Sequence, residues 1–267
     1  FEGPSIRKRG DTYYFIYSSC HMHELCWAVA DEPLGEYRFG GVLVSNSDIG
    51  ANGNKEALNY RGNTHGSVAL VSGKWYVFYH RQTGVNEFSR QAMLEPIDVA
   101  LGKDGNLYIG KVNFVAGEPV SSGVVEMTSQ GPHVNGLDAY KWISAGYACH
   151  TFGGSKRPYV KPGYEQKDDI STPVVDITNG TTVGFRYLQF GSNTPSSVTV
   201  VLGNHDKCKV NVRIDSYNGR IISTLDFEKN ENEKTQPLEW GLIGKHAVYF
   251  EFLSETGTAE FDRFTFD

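Results

Sequence analysis

The sequence predicts an all-β protein, with blades of a β-propeller first and a β-sandwich after them. Three observations predict it. No helical hydrophobic period is sustained anywhere along the 267 residues. Short apolar runs alternate with Gly-, Asn-, Asp- and Ser-rich turns throughout. A hairpin pattern near the N-terminus recurs once, 62 residues later.

The first hairpin is FEGPSIRKRGDTYYFIYSS, and its partner in the repeat is SVALVSGKWYVFYHR. Ser5 aligns with Ser67, Tyr13 with Trp75, Tyr14 with Tyr76 and Tyr17 with Tyr79. Each has a turn between two apolar runs, Arg9-Gly10-Asp11 in one and Ser72-Gly73-Lys74 in the other. A further strand follows each, at Leu25–Ala30 and at Glu87–Ala92. A third, weaker hairpin element is KDGNLYIGKV from Lys103. Blade repeats usually run about 40 to 50 residues. The longer spacing here is taken up by a Gly- and Asn-rich loop, Asn46 to Asn63. Two blades cannot close a ring that needs at least about four. The turn at Glu2 is therefore expected to lie inside a longer domain, with the missing N-terminal blades supplied by the same parent or by another chain.

The pattern changes in VAGEPVSSGVVEMTSQGPHVNG. Blades are expected over 1–118, a linker over 119–128 and a sandwich over 129–267. Strands are expected at Val183–Phe190, Ser197–Leu202, Val210–Ser216, Ile221–Phe227, Ala247–Leu253 and Glu260–Phe266. Val210-Asn-Val-Arg-Ile-Asp215 alternates apolar and polar residues, as a strand with one buried face must.

Composition narrows the function. The net charge is −6 with no basic stripe, which argues against nucleic acid as a partner. No apolar run is long enough to span a bilayer as a helix, so no membrane partner is expected. Aromatics make up 13% of the chain, and flat rings suit both β cores and sugar clefts. The four cysteines contain no Cys-x-x-Cys pair, and disulfides and free buried thiols remain equally open.

Several residues could carry chemistry. Glu2, in Glu-Gly-Pro at the start of a blade, could be half-buried, hold a proton near neutral pH and donate it to a leaving group. The other reading, which a lone carboxylate favours, is a surface residue in a turn. His65, in Asn63-Thr-His-Gly, opens the equivalent strand of the next blade, and could line the same cavity or be a hydrogen-bonded structural residue. Arg90 is expected in mid-strand among apolar neighbours, where a guanidinium needs a carboxylate or a substrate hydroxyl. His21, His23, Glu24 and Cys26 crowd together in CHMHELC, but their spacing fits a polar hairpin loop better than a metal site. Trp142, Tyr147 and Tyr159 could stack on a sugar or belong to the core.

Taken together, EGPSIRKRGDTYYFIYSS, HELCWAVADEPLGEY, GGVLVSNSDIG, NTHGSVALVSGKWYVFYHR and SRQAMLEPI resemble the later part of a family 43 glycoside hydrolase. The resemblance implies a five-bladed propeller, of which this chain holds the C-terminal blades, and activity of the β-xylosidase or α-L-arabinofuranosidase type. It implies Glu2 as general acid, His65 near the axis beside a structural calcium, directly or through water, and Arg90 as a substrate contact. It also implies inversion of the anomeric centre by an Asp base. Asp11, Asp31 and Asp48 match neither family aspartate, so the base is expected outside this chain, which alone should be inactive or nearly so.

Residues 126–267 resemble a family 6 carbohydrate-binding module, a jelly-roll sandwich, best over AVYFEFLSETGTAEFDRFTFD. Arg263 stands where that module usually has an aromatic residue. The resemblance implies plant polysaccharide or oligosaccharide as ligand and a secreted or periplasmic protein. Two other functions are open: a non-catalytic carbohydrate-binding protein, and a fragment completed by a partner chain.

Overall fold

The computed structural model describes residues 2–162 and 172–267. Regular structure there is strand, apart from one 3-10 turn at Ala145–Tyr147. No helix is long and apolar enough to cross a membrane. The chain divides into two compact units: Phe1–Gln82 with Glu87–Met127, and Thr83–Asn86 with Thr128–Asp267.

In the first unit, β1 (Glu2–Arg9), β2 (Thr12–Ser18), β3 (Glu24–Ala30) and β4 (Arg38–Ser45) form a four-stranded antiparallel sheet in chain order. The strands β5 (Gly66–Val71), β6 (Lys74–Gln82), β7 (Arg90–Leu101) and β8 (Leu107–Gly110) form a second of the same order. These are two propeller blades, and the sequence repeat maps one onto the other. Its aligned serines, Ser5 on β1 and Ser67 on β5, share a hydroxyl–hydroxyl hydrogen bond of 2.7 Å. The two-residue period of a strand sorts the aromatics. In β2, Tyr14 and Ile16 are buried while Tyr13, Phe15 and Tyr17 are half-buried. In β6, Val77 and Tyr79 are buried while Phe78 is exposed.

Three boundaries differ from expectation. Glu87 and Phe88 form a turn, not a strand start, because Gln82 Nε2 and Arg90 Nε both donate to the Glu87 carbonyl, at 3.4 and 3.3 Å. The hairpin from Lys103 is the outer turn of the second blade, joining β7 to β8. Residues 119–128 are held within the first unit as far as Met127. There β9 (Val112–Val115) and β10 (Glu118–Ser121) form a hairpin, and Val124 and Val125 bridge to Ala51 and Val44. The Met127 amide donates to Asp48 Oδ1 at 2.9 Å. The Asn46–Asn63 stretch is a loop, but a fastened one: Asn46, Ser47 and Asp48 are buried.

The second unit is a sandwich of two six-stranded sheets. Its strands are β11 (Leu137–Asp138), β12 (Ile143–Ser144), β13 (His150–Phe152), β14 (Tyr159–Val160), β15 (Val174–Ile177), β16 (Thr181–Gln189), β17 (Ser197–His205), β18 (Cys208–Ile214), β19 (Ile221–Phe227), β20 (Glu233–Pro237), β21 (Lys245–Leu253) and β22 (Ala259–Phe266). One sheet runs β11-β16-β21-β18-β19 with β13 beside β16; the other runs β14-β15-β22-β17-β20 with β12 beside β22. Neighbours in a sheet are mostly distant in sequence, the pattern of a Greek key. Phe185, Phe250, Phe261, Phe264 and Phe266 are essentially inaccessible in its core. The Phe185 ring lies 4.7 Å from Phe264 and 5.8 Å from Phe250, edge to face, as ring quadrupoles favour.

Candidate active site

Glu2 is the first residue of β1, the edge strand of the first blade. The next residue, Gly3, has φ +58°, and a Cβ there would lie 2.9 Å from the His65 ring. Glycine is thus required twice over, for the positive φ where the β1–β2 register shifts between Glu2 and Ser5, and for the closeness of the imidazole. His65 immediately precedes β5, the edge strand of the second blade. Its Nε2 lies 2.9 Å from Glu2 Oε2. Asn63 Nδ2 donates to the same oxygen at 3.3 Å. Among the described residues Oε1 of Glu2 has no partner and is open to a ligand. The arrangement therefore anchors one carboxyl oxygen and leaves the other free to give or take a proton.

The electrostatics correct one expectation. The Glu2 side chain is 63% exposed, not half-buried. Hydrogen bonds from His65 first and Asn63 second hold its carboxyl below the usual range. Both bonds favour the ionised form, and nothing here desolvates it enough to oppose them. In this chain Glu2 is a carboxylate at neutral pH.

Behind this pair lies His80 on β6. Its ring meets the His65 ring edge-on at 5.1 Å, and its amide donates to the His65 carbonyl at 3.2 Å. Burial, then the charges of Arg90 and His65, push His80 down to about 4, so its imidazole is neutral near pH 7. Arg90 opens β7 and is exposed, in contrast to the mid-strand apolar setting expected for it. Among the described residues its one hydrogen bond goes to the Glu87 carbonyl, and it has no carboxylate partner. His65, Phe78, His80 and Arg90 line one shallow depression. The structure thus brings together Glu2, His65 and, at its margin, Arg90. Sequence reasoning missed Asn63, His80 and Gln82. The first two lay in quoted motifs, but neither residue type at those positions signalled a contact.

His65 is also the residue beside which calcium is expected, directly or through water. His65 Nε2 is engaged by Glu2, and among the described residues no group of three or more His, Cys, Asp or Glu side chains gathers. The CHMHELC segment is the polar turn between β2 and β3: Ser19 Oγ donates to Glu24 Oε2 at 3.0 Å, and His23 Nδ1 lies 3.1 Å from Ser45 Oγ. None of the four cysteines is in a disulfide; Cys20 is exposed and the others are buried.

In the sandwich, Trp142 and Tyr147 are exposed and Tyr159 is half-buried. They lie on or beside β12, the 3-10 turn and β14, but their rings make no ring–ring contact among the described residues. Trp142 is covered differently: the Arg263 guanidinium sits 5.0 Å from its ring centroid, because Ser144 pairs with Arg263 across β12 and β22.

No family model matches the chain. A xylosidase/arabinosidase of Thermoclostridium stercorarium is 33% identical over 99% of this chain and 55% of its own length. The crystal structure of a glycoside hydrolase family 43 arabinoxylan arabinofuranohydrolase from Bacillus subtilis, in complex with cellotetraose, superposes on 100% of this chain and 54% of that one. Its identity is 20% and its TM-score 0.52, a likeness of fold. A family 6 carbohydrate-binding module matches 50% of this chain and 97% of its own length at 20% identity, with a TM-score of 0.41. The chain spans about half the length of the curated relatives it matches. The likeness of fold to the family 43 enzyme thus runs the length of the chain.

Proposed function

We propose that this chain is the C-terminal portion of an inverting glycoside hydrolase acting on arabinose- or xylose-containing plant polysaccharide, with Glu2 as its general acid. The observation that carries the reading is the carboxyl of Glu2 itself, fixed by His65 and Asn63 through Oε2 and open at Oε1. A general acid must hold its donating oxygen within hydrogen-bond reach of the leaving oxygen, and an anchored carboxyl does this without losing rotamer freedom at each turnover.

Protonated Glu2 gives its proton from Oε1 to the glycosidic oxygen as that bond breaks. An Asp on another part of the ring takes a proton from water, which attacks the opposite face of the sugar. The two carboxyls of an inverting pair stand roughly 6.5–9.5 Å apart. His65 and Arg90 contact the substrate hydroxyls. The acid is held low here by hydrogen bonds, so the rest of the ring must raise it. Burial by further blades and a nearby carboxylate both act in that direction. Exposed apolar side chains on the blades, among them Ile6, Phe39, Leu70 and Phe78, supply faces for such blades. These come from the same parent or from a partner chain. The sandwich binds glycan through Trp142, Tyr147 and Tyr159 in this reading, and the protein is secreted or periplasmic, where its substrate is.

The test is the first-formed product. Proton NMR of arabinoxylan or aryl-glycoside digests by the ring-complete protein should show the inverted anomer, with this chain alone inactive or nearly so. Retention, or full turnover by this chain alone, contradicts the reading.

A further inference from the structure

Behind the Asn63–His65 segment stand two buried amides that the proposed chemistry does not use. Gln82, the last residue of β6, is 6% exposed, and its Nε2 donates to Asn63 Oδ1 at 3.1 Å. Asn46 is 1% exposed, and its Nδ2 donates to the carbonyls of Gly62 and Asn63, at 3.0 and 2.9 Å. Gly62 lies so near the Gln82 amide that any Cβ at 62 would overlap it. Thr64, wholly buried, adds a bond from its hydroxyl to the His80 carbonyl at 2.8 Å. The segment that carries Asn63 and His65 is thus clamped on three sides.

This clamp is costly. Gln82 Oε1 and Asn46 Oδ1 are both buried with no donor among the described residues. A buried acceptor without a donor destabilises a fold, and an apolar side chain of equal size avoids that loss. Polar groups kept at such a cost are best explained by what they hold in place. We infer that Gln82 and Asn46 are positioning residues, which set Asn63, and with it the Glu2 carboxyl, at the angle from which Oε1 can protonate a leaving group. The inference rests on the acid role proposed for Glu2. The chain of contact is linear: Gln82 to Asn63, and Asn63 to Glu2 Oε2.

Gln82→Met keeps the volume and removes the amide. In the ring-complete protein its kcat on a natural oligosaccharide should fall by about 10- to 100-fold, the scale of a small misplacement of a catalytic group. KM and turnover of an activated aryl glycoside should stay near wild type, and Tm should be unchanged or higher. In an Asn63→Ala background the same substitution should add nothing to the leaving-group dependence, because the Gln82–Asn63 bond that leads to Glu2 is already gone; the other bond of Gln82 Nε2 goes to the Glu87 carbonyl, on the side of Arg90. In this chain by itself, amide exchange over 62–65 should quicken by about 10-fold or more while exchange in the sheets stays put. Equal losses on both substrates, a fall in Tm, or additive losses in the Asn63→Ala background would make Gln82 merely structural. Should Glu2→Gln show no dependence on the leaving group, the acid role fails. Exchange over 62–65 then decides the clamp alone, and unchanged exchange overturns it.

Discussion

The two units use aromatic residues in opposite ways. The sandwich turns its phenylalanines inward: Phe185, Phe250, Phe261 and Phe264 touch one another and are closed to solvent. The blades bury β3 on both faces but leave Phe39 65% and Phe78 43% exposed. A sandwich completes its own core; a blade needs neighbours on both faces. The candidate acid follows the same division, since it stands on an edge strand of the unit that is open. What the blades lack in burial is also what Glu2 lacks in proton affinity.

The sharpest way to break that contrast is a pair of truncations. Phe185→Ala should destabilise the sandwich by about 3–5 kcal/mol, the range for a large aromatic removed from a closed core. Phe78→Ala should cost under about 1 kcal/mol in this chain, as at exposed sites generally. Denaturant melts of both variants decide it, and similar losses would erase the distinction. In the ring-complete protein the Phe78 effect should grow.

Next in size is Arg90→Ala. Among the described residues its guanidinium bonds only the Glu87 carbonyl, so Tm should stay within about 2 °C, the scale for a surface change of up to ~0.5 kcal/mol. Turnover should fall several-fold, mainly through KM. A collapse in Tm would give Arg90 a structural role instead.

A pH effect separates the two units further. His80 has its folded-state value pushed down to about 4 from 6.5, so the unfolded chain binds the proton more readily. Stability of the blades should therefore be level above pH 6.5 and decline as pH falls from there toward 4. Glu2, also held low, adds a smaller loss as pH drops below the ordinary carboxylate range. A His80→Asn variant should reduce the 6.5-to-4 slope, leaving the part that His23, also held low by burial, contributes; an unaltered slope would place its cause elsewhere. The smallest effect concerns thiols. One of four cysteines, Cys20, should react quickly with a thiol reagent in the folded chain, because Cys26 and Cys208 are buried and pushed up to about 12 and about 11.

Much of this was legible in the order of residues. The 62-residue repeat aligned Ser5 with Ser67, and the structure adds that those hydroxyls meet. The repeat also set Glu2 and His65 at the same end of successive blades, but their hydrogen bond, across 63 residues, was not legible from it. Exposure was not legible: Arg90 sits between Ser89 and Gln91, and nothing there said that a turn at Glu87 would leave it at the surface. The clamp was invisible for a different reason. Gln82 and Asn46 act through single side-chain bonds to Asn63 across gaps of 19 and 17 residues, and such bonds leave no period in a sequence.

The most direct test of the acid assignment is the dependence of kcat/KM on leaving-group acidity in the ring-complete protein. With wild-type Glu2 the rate should vary little along a series of aryl glycosides. With Glu2→Gln it should drop steeply as the leaving group becomes more basic, with losses of about 10²–10⁴-fold at the unactivated end. Parallel lines for the two proteins would contradict it.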